Sequence, residues 1–153
     1  MKTALIVLAS VLGLFAADAA QAQFRKPQDA IEYRQSAMFL IGQHFGRVAA
    51  MAKGSVPFDA KAAADNAALL VTLSKLPFEA FGPGTETGED TAAKPEIWKE
   101  TDKFKKDAED FQAAVVKLNA AAAGGKLDEI KAAVGAVGKS CKACHDAYKD
   151  DKH

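Results

Sequence analysis

The sequence predicts an all-α chain folded as an antiparallel up-down-up-down four-helix bundle. Three observations lead there. Apolar residues recur at a three-four spacing, the seam pattern of packed helices. No strand-like alternation persists anywhere along the chain. Alanine supplies much of a hydrophobic fraction of 49%, a composition that favours helix. At 153 residues the expectation is one compact domain, and no repeat array is evident.

Residues 1–22 stand apart from that domain. Lys2 gives a positive start, 4–17 is an uncharged apolar run, and Ala20-Gln21-Ala22 has the small-x-small form of a cleavage site. A membrane span needs about 18–20 apolar residues, and this run stops at Asp18. The segment therefore reads as a cleaved secretory signal peptide and not as a membrane anchor, leaving 23–153 as the mature domain. Export also makes a disulfide the default expectation for the two cysteines.

Each helix has its own signals. The first opens near Pro27, whose missing N–H costs nothing in a first turn. Its inner stripe is Ile31, Arg34, Met38, Ile41, Phe45 and Val48, and Gly54-Ser55-Val56-Pro57 ends it. The second starts at a capping Asp59, runs to about Lys75 and offers Ala63, Ala67, Leu70 and Leu73 to the core, with Pro77 stopping it. A long connection over 76–94 follows, containing Phe81-Gly82-Pro83-Gly84-Thr85; connections of this length are often functional. Pro95 opens the third helix, whose stripe is Phe104, Ala108, Phe111, Val115, Leu118 and Ala122, and Gly124-Gly125 closes it. The fourth begins around Leu127 and carries Ile130, Val134, Val137, Cys141, Cys144 and Tyr148 inward. Twenty basic residues balance twenty acidic ones, so nothing suggests a nucleic-acid surface or a strongly charged partner.

The chemistry lies in Cys141-Lys142-Ala143-Cys144-His145. Residues three apart on a helix share a face, so both thiols reach one flat object, and a haem's two vinyl groups are such a pair of targets. His145, four residues after Cys141, points its imidazole to nearly the same face. Cys-x-x-Cys-His is the attachment signature of haem c, here one per chain, with His145 as axial iron ligand. A thioredoxin-like pair wants a βαβ context that the chain lacks. A structural zinc wants four ligands, and beyond these three only His153 remains. A disulfide within one helix strains the backbone.

With haem placed on the last helix, the chain resembles cytochrome c prime, the class II c-type cytochromes of the bacterial periplasm, over 23–149. Besides the haem motif, the resemblance rests on Tyr33-Arg34-Gln35-Ser36, His44-Phe45-Gly46-Arg47, Leu73-Ser74-Lys75-Leu76-Pro77, Ala80-Phe81-Gly82-Pro83-Gly84-Thr85 and Lys94-Pro95-Glu96-Ile97-Trp98. It implies a periplasmic homodimer with five-coordinate haem, His145 proximal, and a distal side that binds nitric oxide and carbon monoxide, alongside an electron-transfer role with an unknown redox partner. It places Arg34, Gln35 and Thr91 by the haem propionates. One departure is Lys149, where several members carry an arginine near the proximal face; lysine keeps the charge without the planar group.

Met38 separates two chemistries. The family places at this position the side chain that covers the distal face. Methionine there either packs or ligates iron as a thioether. Phe78 and Phe81 join it as candidate distal-pocket residues, each equally at home in a core. An apolar distal pocket offers bound dioxygen no hydrogen-bond donor, whereas nitric oxide and carbon monoxide need little such help. Gas binding is therefore the first expectation, and a low-spin electron carrier with Met38 and His145 as axial ligands the second. A peroxidase-like enzyme ranks last, for want of a distal histidine and arginine pair. For the rest, His44 reads as a surface residue, Trp98 as packing, and Tyr33, Ala37 and Leu40 as a second apolar face of the first helix, consistent with dimerisation.

Overall fold

The computed structural model describes residues 23–88 and 91–150; the signal-peptide segment and His153 lie outside the described residues. Five α-helices follow in chain order: α1 (Pro27–Ala52), α2 (Ala60–Leu73), α3 (Glu96–Lys99), α4 (Thr101–Gly124) and α5 (Leu127–Tyr148). A 3-10 turn spans Leu76–Ala80. The four long helices form the bundle: α1 packs on α2 and α5, and α4 packs on the same two. Short turns between α1 and α2 and between α4 and α5 leave those neighbours no arrangement but antiparallel.

Local chemistry fixes the ends. Pro27 occupies the first turn of α1. The Asp59 carboxylate accepts a hydrogen bond from the Ala62 N–H at 2.9 Å, capping α2. Gly125 takes φ +70°, a left-handed conformation that closes α4 without a Cβ penalty. Asp128 and Glu129 sit in the first turn of α5, matching the helix dipole, and His145 lies in its last turn.

The inner stripes meet in a main core that includes Val48, Leu70, Val115, Leu118, Ile130 and Val137, all fully buried. Each such side chain contributes roughly 1.5–3 kcal/mol relative to exposure. A smaller cluster of Ile97, Phe104 and Tyr148 lies at one end, with Phe81, Trp98 and Cys144 packed against it. Phe78 touches both clusters.

Four details differ from the sequence reading. The third helix is two: Glu100 has φ −113° and ψ 43°, breaking the run between α3 and α4. The break turns Ile97 and Trp98 into the end cluster while the Phe104 stripe stays in register with the bundle. The long connection is not plain loop throughout: it opens with the 3-10 turn and closes where an antiparallel bridge pairs Ala93 with Lys149. Ala37, read as part of an outer face, is buried within the chain. His44 is half-buried, its Nδ1 lying 2.8 Å from the Asn66 Oδ1 across the α1–α2 contact.

Candidate functional site

An open cleft of about 250 Å³ lies where α1, the 3-10 turn, residues 91–93 and the end of α5 converge. α1 supplies Arg34 with its neighbour Gln35 and, one turn on, Met38, because its inner stripe runs past the end of the main core. The turn that Pro77 enforces brings Phe78 inward, with Phe81 just beyond it. Thr91 enters from the long connection, and Cys144 and His145 from α5. Cys141 does not line the cleft; it sits one turn back, half-buried against the main core. The Cys-x-x-Cys pair thus straddles two clusters, Cys141 on the main core and Cys144 on the end cluster.

Both cysteines are free thiols. Burial pushes the Cys144 thiol up to about 11, with Asp107 and Cys141 adding to the effect, and burial raises Cys141 as well. Most of the remaining wall is apolar or aromatic, with Ala92, Ala93, Ile97 and Phe104 beside Met38 and the phenylalanines. Tyr148 turns its ring into this wall and donates its hydroxyl to Glu100 at 3.1 Å. That bond, followed by the nearby Lys103, holds the Glu100 carboxyl below its ordinary value.

Arg34 is only 3% exposed. One terminal nitrogen donates to the Ala80 carbonyl (3.1 Å) and the Thr85 hydroxyl (3.0 Å). The other donates to the Thr85 carbonyl (2.9 Å) and the Thr91 hydroxyl (2.8 Å). The guanidinium lies 4.5 Å from the Phe81 ring centroid and 5.6 Å from that of Trp98, a cation–π arrangement on two rings. Burial lowers its pKa to about 10 against the opposing pull of Glu86, so it stays cationic at neutral pH. The family resemblance put Arg34, Gln35 and Thr91 near haem propionates. Arg34 and Thr91 do meet, and the terminal N–H groups of Arg34 are committed to loop oxygens that a propionate would have to displace. Gln35 lies exposed on the cleft rim. Thr85 and Trp98, which complete the arginine's setting, carried no sequence signal of that role.

The donor set fits a haem. The Cys144 thiol and the His145 imidazole border an apolar, aromatic cleft, and the Cys141 thiol lies one helical turn back on the same helix. Among the described residues no group of three or more His, Cys, Asp or Glu side chains could hold a metal ion by itself. No described helix is long and apolar enough to cross a membrane.

A helical bundle with Cys-x-x-Cys-His opening onto an end cleft defines a class II c-type cytochrome. Comparison with known proteins agrees: the family model described as Cytochrome C' matches residues 29–149. Cytochrome c' of Rubrivivax gelatinosus is 61% identical over 84% of this chain and 99% of its own length, and that of Alcaligenes xylosoxydans 53% identical over 85% and 100%. The crystal structure of the Rubrivivax protein superposes with a TM-score of 0.81, covering 84% of this chain and all of that one. A ferrous variant of the Alcaligenes protein with nitric oxide bound superposes with a TM-score of 0.80 at 53% identity, over 85% of this chain and all of that one. The chain belongs to the cytochrome c' family.

Proposed function

We propose that this chain is an exported, periplasmic haem protein that binds nitric oxide and carbon monoxide at a five-coordinate iron and discriminates against dioxygen. Cys141 and Cys144 would hold one haem c through thioether bonds, and His145 would be its axial ligand. The haem supplies a ferrous iron able to take a diatomic ligand on its open side. Everything else is the work of the chain. Met38, Phe78 and Phe81 give the cleft an apolar lining. Two polar groups of the same cleft are engaged elsewhere, Arg34 with Ala80, Thr85 and Thr91 and the Tyr148 hydroxyl with Glu100, while Gln35 lies exposed on the rim. That prior commitment is the observation that carries the reading, because dioxygen needs a donor and the other two gases do not.

The proposed action is binding and not turnover. A homodimer agrees with the apolar surface left by α1 and α2, where Phe39, Leu40 and Leu69 are 64%, 41% and 51% exposed. The electron-carrier reading keeps one specific support, that Met38 shares the cleft with His145. Absorption spectra of the purified holoprotein decide between them. High-spin ferric bands, carbon monoxide uptake after reduction and faster uptake in Met38→Ala are expected. A low-spin spectrum with a methionine-to-iron band that Met38→Ala abolishes would establish the carrier. A stable ferrous-dioxygen complex would end the selectivity argument.

A further inference from the structure

We propose that Thr91 is a positioning residue for His145, acting through the backbone of residues 92–94; the proposal rests on the haem reading above. Thr91 Oγ accepts two hydrogen bonds, from Arg34 at 2.8 Å and from the Ala93 N–H at 3.3 Å. The second ties Thr91 to Ala93, the extended residue that bridges to Lys149 and so turns the Ala92 carbonyl and the Lys94 N–H to one side. Both are taken by the end of α5: the Asp150 N–H donates to Ala92 O at 2.8 Å, and the Lys94 N–H donates to Tyr148 O at 2.9 Å. Lys94 adds a side-chain bond to the Asp146 carbonyl at 3.2 Å.

Those carbonyls belong to the last turn of α5, where a helix has no partners of its own to offer. Segment 92–94 provides them, seizing peptide groups on both sides of Lys149, whose N–H in turn closes on the His145 carbonyl at 2.9 Å. The turn that carries the imidazole is therefore held from outside the helix. At the other end of the tie, Arg34 is fixed by four hydrogen bonds and two aromatic rings, and Met38 stands one turn further along the same helix. One hydroxyl thus joins the wall that carries Met38 to the turn that carries His145.

Two readouts on the ferrous holoprotein test this. The iron–histidine stretching band in resonance Raman spectra reports the orientation and strain of His145. Amide hydrogen exchange at Lys94 and Asp150 reports the tie itself. Thr91→Val keeps the shape and removes the acceptor; it is expected to shift or broaden the band and to speed both amides about tenfold. Thr91→Ser, which keeps the oxygen, is expected to match the wild type in both. Lys94→Pro deletes the donor to Tyr148 and the side-chain bond to Asp146 while leaving the Thr91 side chain in place, and is expected to move the band in the same direction; it decides the matter with Thr91→Ser should Thr91→Val not fold. Faster exchange with an unmoved band would reduce Thr91 to a structural tether and overturn the proposal. So would a serine variant that behaves like valine. Failure of the haem reading looks different, because the wild type would then show no iron–histidine band at all.

Discussion

Replacing Arg34 by leucine tests how the loop around the cleft is held. The change keeps an apolar stem and removes all four terminal hydrogen bonds. The Thr85 hydroxyl keeps its own bond to the Gly82 carbonyl, and Thr91 Oγ keeps the Ala93 N–H. The Ala80 and Thr85 carbonyls lose the arginine without such a substitute. At roughly 1–2 kcal/mol for each buried acceptor left without a donor, the cost is about 3 kcal/mol, after some relief from no longer desolvating a cation. Arg34→Lys keeps the charge, but three donors on a point-like ammonium cannot span four acceptors or stack on Phe81, so about 1–2 kcal/mol is expected. Urea denaturation of the holoprotein, followed by helical circular dichroism at pH 7, measures both. The order wild type, lysine, leucine is the expected result, with unchanged m. A leucine variant within about 0.5 kcal/mol of wild type would refute the account, since changes of that size are ordinary for surface positions.

Two further outcomes follow from capping and titration. Asp59→Ala should cost about 1 kcal/mol by freeing the Ala62 N–H, and hydrogen exchange should quicken in the first turn of α2 and not in α4. The Glu100 carboxyl titrates below its ordinary value of 4.5, chiefly through the Tyr148 hydroxyl, so its bond stabilises the fold above that pH and is lost as pH falls through the lowered value. Glu100→Gln should therefore be less stable than wild type at pH 6, with the gap closing as both are acidified below 4.5; a gap that widens on acidification would contradict the assignment.

What could be read from the sequence was what local chemistry writes into it. Pro27, Asp59 and Gly125 mark helix ends because a missing N–H, a capping carboxylate and a left-handed φ act within one turn. The stripe from Phe104 to Ala122 is buried at every position named, because period and packing agree there. Contacts between distant segments left no such trace. Arg34 finds Thr85 and Thr91 more than fifty residues away, and nothing in the spacing of the three announces it. The bridge between Ala93 and Lys149 is made by backbone groups, which every residue carries. The break at Glu100 comes from the pull of the end cluster on Ile97 and Trp98, against a run whose propensities would continue the helix. Ala37 misled in the same way: an alanine is small enough for a neighbouring helix to cover whichever face it occupies.

The division of the interior into two clusters gives the Cys-x-x-Cys spacing a meaning beyond reach. Cys141 packs with the main core and Cys144 with the end cluster, and among the described phenylalanines only Phe78 packs against both. The end cluster is small, with three buried members, and depends on the break at Glu100 and on the tie from Lys94 for its closure. A rigid group bonded to both thiols at this junction would link the clusters covalently and cover the apolar walls between them. Under the proposed function, haem attachment therefore stabilises the end cluster more than the main core, because the main core is closed by four helices without it. The cleft and the break at Glu100 then have one physical origin: the bundle ends where a cofactor completes the packing.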